Sequence, residues 1–293
     1  MRKSILQDER ASELVEPDRP RRIPTLTVRV TGDPLDPDMA GSIIKPAELV
    51  DAVEISALNR SELVLYNQLL AHAWNSIEPG KVYRIRKSLL RGSHESNDRL
   101  HESFDRLMGA FAKVKCRDPE TGNTKTVRIN LLGANAEEDA EDGFFTYTFH
   151  ASLLQILQNS ETWARIKSEI MYLLRSKYSI RLYELVERRI NMRAQSETFS
   201  IEELRGLLGV PADRLKRFAD FNAQCLKPAV AEVNHLTDYI VTVGLIKRGR
   251  FTSRITITWL EKCPEARKQA RAERARSSIG RAARRKGHIE VIV

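Results

Sequence analysis

Cysteine is scarce. The chain of 293 residues holds three, Cys116, Cys225 and Cys263, an odd number at neither metal-ligand nor redox spacing. Small buried or free thiols are therefore expected, not a disulfide framework or a zinc site. Aromatic residues make up 6% of the chain. No apolar run approaches the roughly 18 residues that span a bilayer, and the longest, from Ile240 to Ile246, reads as a strand. The amino terminus, MRKSILQDER, has no apolar core behind its basic residues and does not look like a secretory signal. These absences lead to the expectation of a cytoplasmic protein with no membrane attachment.

Enzyme signatures are missing too. Gly80-Lys81 lacks the partner glycine and the following hydroxyl of a phosphate-binding loop. His94-Glu95 and His101-Glu102 begin like a zinc-protease motif but place Asp98 and Asp105 where the second histidine belongs. None of His72, His94, His101, His150, His235 and His288 forms the His-apolar-His pair that a metal-dependent DNA-nicking enzyme would set beside its nucleophilic tyrosine. No catalysis, no metal and no cofactor are expected.

What the chain does have is positive charge, unevenly placed. Lys and Arg number 48 against 39 Asp and Glu, a formal net charge of +9. Residues 264–287 alone carry Arg267, Lys268, Arg271, Arg274, Arg276, Arg281, Arg284, Arg285 and Lys286 against Glu265 and Glu273, a net of +7. The rest of the protein is close to neutral. With its alternating Ala, Arg and Ser, the segment 263–293 reads as a basic tail, disordered or transiently helical when free. Residues 1–41, with Pro17, Pro20, Pro24, Pro34 and Pro37, read as a flexible arm. The length and a 42% hydrophobic content leave room for two cores between these ends, with a boundary near residue 160.

Both inner segments show helices followed by a hairpin. In 42–160, Leu63, Tyr66, Leu69, Leu70 and Ala73 mark a helix opening at Ser61, and Lys81 to Arg86 a strand. Leu100, Phe104, Leu107, Met108 and Phe111 mark a second helix started by Ser96 or Asn97. Val114 to Cys116 and Thr126 to Leu131 flank the turn formers of DPETGN, and Phe144 to His150 alternates as a further strand. In 161–262, Trp163, Ile166, Ile170, Leu173 and Leu174 fit one helix. Tyr178, Leu182, Leu185 and Val186 give one face of another, and Lys177, Arg181, Glu184 and Arg188 occupy a different face. Ser200 and Glu203 form a capping box opening a short helix that Gly209-Val210-Pro211 ends. A long helical stretch to Asn234 and strands at Tyr239 to Val243 and Arg254 to Trp259 follow. The fold class is α+β: two tandem winged-helix domains with a disordered basic C-terminal tail.

Short helix, turn, longer helix and basic hairpin is the order of a DNA-binding winged helix. A major groove about 12 Å wide admits one helix, provided its outer side carries no large apolar group. Leu215, Phe218, Phe221, Cys225, Leu226, Ala229 and Val233 fall on one side of the stretch, and Lys216, Arg217, Asp220, Ala223, Gln224 and Lys227 on the other. Gln224 has the amide for a bidentate contact to adenine, and Arg217 suits guanine or phosphate. Pro228 should kink or restart the helix. Asn222 faces bases if the helix starts at Asp220, and is an inner hydrogen-bonded residue if it starts near Ala212. Lys247, Arg248 and Arg250 at the hairpin turn, with Arg254 behind, suit phosphate or minor-groove contact. Charge runs are commonly just solvated loops; following this helix, the DNA reading is preferred.

Three stretches also carry a resemblance. YSIRLYELVERR from Tyr178, FSIEELRGLLGV from Phe199 and FNAQCLKPAVAEVNHLTDY from Phe221 resemble, in order and spacing, the second half of the iteron-binding plasmid replication initiators of the RepE, pi and TrfA type. The most specific part is Leu-x-Pro-Ala-x-x-Glu-x-Asn at Leu226, Pro228, Ala229, Glu232 and Asn234. The resemblance covers residues 161–262 well and 42–150 by general plan. It implies a carboxy-terminal winged helix that binds directly repeated origin sequences as a monomer. It also implies an amino-terminal one that adds an auxiliary DNA contact and forms the homodimer of self-repression. Recruitment of host DnaA and the replicative helicase follows from the same resemblance, with no catalytic step. Where the family often has Arg or Lys after the position of Phe221, this chain has Asn222, Ala223 and Gln224, which implies a different base readout. The rival readings are a winged-helix transcriptional repressor, a nicking enzyme, and an interaction module with an RNA-binding tail.

Overall fold

The computed structural model describes residues 41–90, 97–118, 121–140 and 143–289. The expected arm lies outside them except for residue 41, as does the proposed cap Ser96. The first elements are β1 (Ser42–Pro46), α1 (Ala47–Val50), β2 (Glu54–Ile55), α2 (Arg60–Ala73), β3 (Tyr83–Arg86), α3 (Lys87–Leu90) and α4 (Asn97–Met108). They are followed by β4 (Phe111–Arg117), β5 (Thr124–Asn130), β6 (Asn135–Glu137), β7 (Phe144–Tyr147) and α5 (Ala151–Asn159). α2 opens one residue earlier than its hydrophobic spacing predicts, because Asn59 takes the cap. Its side chain accepts from the Glu62 amide at 3.2 Å, and Glu62 accepts from the Asn59 amide at 2.6 Å. The hairpin β4–β5 forms as expected, with Val114 opposite Val127.

The second half holds β8 (Trp163–Lys167), α6 (Ser168–Leu173), α7 (Lys177–Arg189), β9 (Ser196–Ser200) and α8 (Ile201–Leu207). After these come α9 (Phe218–Phe221), a π-helical turn (Asn222–Leu226), α10 (Lys227–Leu236), β10 (Tyr239–Arg248), β11 (Phe251–Glu261), α11 (Pro264–Ala275) and α12 (Arg281–Ile289). The single helix predicted from Trp163 to Leu174 is corrected to a strand followed by a short helix. Ala164 and Ile166 are buried and alternate with half-buried neighbours, the period of a strand. The spacing 163, 166, 170 fits a helix as well, and the partner that decides the matter is distant in sequence. β8 pairs antiparallel with β1, Ser42 opposite Lys167 and Pro46 opposite Trp163.

That pairing ties the two halves together. One core runs from Leu49 to Leu157 and the other from Ala164 to Trp259, yet Ile43, Val50 and Val64 from the first half belong to the second core. The strand plan also differs between halves. β9 joins the hairpin in the order β10-β11-β9, whereas β3 pairs with β7 and the hairpin β4–β5 pairs with β2.

A buried polar cluster spans the junction. Lys45 Nζ lies 2.9 Å from Glu184 Oε1, Asn67 donates to the same oxygen at 2.9 Å, and Arg181 donates to Glu184 Oε2 at 2.9 Å. Arg181 also donates to the Val50 and Leu207 carbonyls, each at 3.0 Å. Arg181 and Glu184, on the charged face of α7, are both buried, their charge satisfied within the cluster. Burial alone would raise the Glu184 carboxyl, but Lys45 and Arg181 outweigh it and hold it below the ordinary carboxylate range. Nearby, Gly206 of α8 packs so closely on the Val53 carbonyl that an added Cβ would stand 2.4 Å from its oxygen.

Residues 264–289 form two helices where the composition predicts a disordered or transiently helical tail. Ala270 is buried, and the lone acid in the middle of the basic run, Glu273, collects the arginines around it. A polar composition excludes a core of its own, but not docking through ion pairs onto another helix.

Candidate nucleic-acid interface

The helix-turn-helix is fixed at its turn. Ser200 Oγ accepts from the Glu203 amide at 3.1 Å and Glu203 returns the bond at 3.2 Å, the predicted capping box. α8 ends at Leu207 with Leu208 as its C-cap, and Gly209 takes a left-handed φ of +68°. Arg205, buried beneath, donates to the carbonyls of Pro211, Arg214 and Leu215. Leu215 itself has φ +49°, a conformation that costs a side-chain-bearing residue roughly 1–2 kcal/mol. The arginine clamp, with partial packing of Leu215 on the second core, holds it there. No sequence pattern marks this clamp; a lone arginine inside a short helix is its only trace.

The next helix starts at Phe218, between the two alternatives Ala212 and Asp220. Arg217 is its N-cap in extended conformation, and its carbonyl accepts from the Phe221 amide at 3.0 Å. Asp220 sits in the first turn, where a carboxylate suits the helix dipole. Asn222 consequently lies in the second turn, half-buried. Over Asn222–Leu226 the helix widens into a π turn, and the Lys227 amide reaches the Asn222 carbonyl five residues back. This answers Pro228, which has no amide to donate and would crowd the Gln224 carbonyl of a regular helix. Phe221, Cys225, Leu226, Ala229 and Val233 are buried on the underside, and burial pushes the Cys225 thiol up to about 12. Lys216, Arg217, Ala223, Gln224 and Lys227 are exposed, with the Arg217 side chain at 81%.

The motif that carries the family resemblance aims this helix. Glu232 accepts from the amides of Arg175 at 3.1 Å and Ser176 at 3.4 Å, tying α10 to the start of α7. Asn234 exchanges two bonds with Val241, at 2.7 and 2.9 Å, in the manner of a strand neighbour. Behind α10, Arg284 grips Glu273 through Nε at 3.0 Å and Nη2 at 2.6 Å, which holds the Glu273 carboxyl at about 2. His235 Nε2 lies 3.4 Å from the same carboxylate, and Arg285 reaches Glu232 at 3.5 Å.

The hairpin supplies the second cationic surface. Lys247, Arg248 and Arg250 are exposed at its tip, where Gly249 has φ +64°. Arg254 is also exposed, but its Nη2 donates to the Thr198 carbonyl at 3.1 Å, so it stands at the β9 edge of the sheet. In the first half the equivalent helix, α4, is less cationic. His101, Glu102, Asp105 and Arg106 are exposed along it, and Arg106 is bound to Glu62 at 3.2 Å and Glu102 at 3.0 Å. No group of His, Cys, Asp and Glu able to hold a metal, and no helix long and apolar enough to cross a membrane, occurs among the described residues.

A helix-turn-helix followed by a hairpin, preceded by a second unit of helices and hairpin, defines a DNA-binding protein with tandem winged helices. The profile described as "Initiator Replication protein, WH1" matches residues 42–187, and that described as "Initiator Rep protein, WH2" matches residues 200–259. The chain belongs to this family of plasmid replication initiators. Among solved structures it is similar to the Pi initiator protein in complex with iteron DNA, at 17% identity and a TM-score of 0.54, covering 76% of this chain and 98% of that one. Similarity to domains 2 and 3 of RctB is at 14% identity and a TM-score of 0.40, covering 70% and 82%. At such identities the likeness to Pi is one of fold. No curated protein matches the sequence.

Proposed function

We propose that this replication initiator binds directly repeated sites in double-stranded origin DNA and promotes opening of an adjacent segment without catalysing any covalent step. Residues 161–262 supply sequence-specific recognition, and 42–160 the auxiliary DNA contact and the homodimer that represses its own gene. Host DnaA and the replicative helicase are the further partners, and the cytoplasm the site of action. In this reading Arg217, Asn222, Gln224 and Lys227 meet the major groove, while Lys216, Lys247, Arg248, Arg250 and Arg254 meet phosphates or the minor groove.

The observation that supports the reading most directly is the two-sided helix: exposed Arg217, Gln224 and Lys227 over a fully buried apolar underside, with a cationic hairpin in the same domain. The near-balanced charge of α4 is consistent with an auxiliary role for the first domain. Pi, of similar fold, is described in complex with iteron DNA. The test is a footprint of the full chain on the DNA flanking its own gene. Several protected repeats in one orientation are expected. A single inverted repeat would overturn the reading in favour of a repressor, and strand cleavage of supercoiled plasmid with a divalent metal would overturn the absence of catalysis.

A further inference from the structure

The hairpin tip carries more than charge. Phe251 is 66% exposed, Ile246 45% and Leu245 41%, in a stretch that holds Lys247, Arg248 and Arg250. Nearer the core, Val241, Ile255, Ile257 and Trp259 are buried on one face of β10–β11, where Ile255 pairs with Leu245. Strict alternation would continue that face through residues 253 and 251 of β11. It does not, because the register slips. Ile246 pairs with Arg254 but Lys247 pairs with Thr252, which leaves Ser253 unmatched with its hydroxyl donating to the Ile246 carbonyl at 3.1 Å. One extra residue turns every side chain beyond it to the other face. Phe251, now opposite Arg248, therefore shares a face with Ile246, Arg248 and Arg254.

We propose that Phe251, with Ile246 behind it, is an apolar wedge that enters the minor groove of bound duplex DNA and unstacks one base step. Exposed large apolar side chains lose little by entering a base step, and they need phosphate contacts to be held there. Lys247, Arg248 and Arg250 around the wedge supply those contacts, and the Arg250 guanidinium stands 5.0 Å from the Phe251 ring. Charge complementarity thus favours a polyanion over a second protein as occupant. The bulge has a role in this scheme, since without it Phe251 would sit on the side opposite Ile246 and Arg254. The inference rests on the DNA-binding reading and adds to it the place where the helix is distorted.

The experiment uses the full chain and duplexes containing its footprinted sites. Permanganate, which oxidises unstacked thymines, and circular-permutation mobility, which reads bending, are compared for the wild type and Phe251→Ala. The wild type should bend the duplex and create a reactive step beside each site. Phe251→Ala should return both signals to those of free DNA while affinity falls by roughly fivefold to a hundredfold, and Phe251→Trp should keep them. The exposure of Phe251 predicts an unchanged melting temperature for each variant. Equal bending and reactivity in wild type and Phe251→Ala would overturn the wedge while leaving DNA binding intact. Unchanged duplex distortion with weaker single-strand binding, or with loss of self-association, would overturn it in favour of a stacking platform or a contact between copies. If the wild type protects no site, the DNA-binding reading itself fails.

Discussion

Gln224 stands on the outer side of a helix whose neighbours Phe221, Cys225 and Leu226 are buried, so its amide can be removed without disturbing the core. Gln224→Ala should cost about 1–3 kcal/mol at one base position and nothing in melting temperature. Binding curves for duplexes substituted at each position of a footprinted site check this; a uniform loss across all of them would assign Gln224 to the phosphate backbone. Glu187 makes a different kind of prediction. It is buried where α7 meets β10, accepts from the Tyr239 hydroxyl at 3.1 Å, and is raised by burial to about 7. A carboxyl that holds its proton more tightly when folded gives stability that is complete below the unfolded value near 4.5 and fades as pH rises toward 7. The change is on the order of 3 kcal/mol. Denaturant unfolding of the wild type and Glu187→Gln between pH 4.5 and 7.5 should show curves that separate in this sense. A difference that is constant with pH would mean that Glu187 titrates normally.

Between elements, the strained turn at Leu215 depends on Arg205. Arg205→Ala takes the guanidinium from the Arg214 and Leu215 carbonyls under the turn, while the Pro211 carbonyl keeps the Arg214 amide, and should destabilise the protein by roughly 2–4 kcal/mol, with DNA affinity lost along with the angle between α8 and α9. Arg205→Lys should not restore it, because an ammonium lacks the fork that reaches separate carbonyls. Chemical unfolding and site binding of both variants check this, and full rescue by lysine would reduce the clamp to a charge effect. Arg205 also marks the limit of what the sequence discloses. The Ser200–Glu203 box and the hairpin β4–β5 were legible because their bonding partners lie within a few residues. The helix at Pro228 was legible as a disturbance, although not as a π turn, because proline excludes one bond without dictating its replacement. β8 was misread, and the Lys45–Glu184–Arg181 cluster unforeseen, because each is decided by a segment far along the chain. Outer polar positions of the candidate interface were legible from helical period alone; the orientation of Phe251 was not, since a single unmatched serine reverses it.

For the whole molecule, the docked carboxy-terminal helices change what their charge can do. A tail of +7 free in solution would displace several counterions on DNA, steepening the fall of log affinity with log salt by about 0.9 per phosphate met. Much of that charge is already committed. Arg274 pairs with Asp238 at 3.3 Å, Arg276, Arg281 and Arg284 with Glu273, Arg285 with Glu232 and Arg267 with Glu261. Lys268 and Arg271 are exposed and without an ion pair among the described residues. Removing residues 264–293 should therefore reduce the slope of log affinity against log salt by about two to three, not by the six or more of a fully free tail. It should also lower the melting temperature by several degrees, because Asp238 and Glu232 lose partners and α10 loses the packing of Ala270 and the support of Arg274 on the Leu236 carbonyl at 2.9 Å. Titrations at several salt concentrations and a thermal melt of the truncated chain measure the two effects together. A slope reduced by six or more with an unchanged melting temperature would mean that these helices detach and act on DNA as a loose arm. A small slope change with a lower melting temperature would make them a brace on the back of the recognition helix.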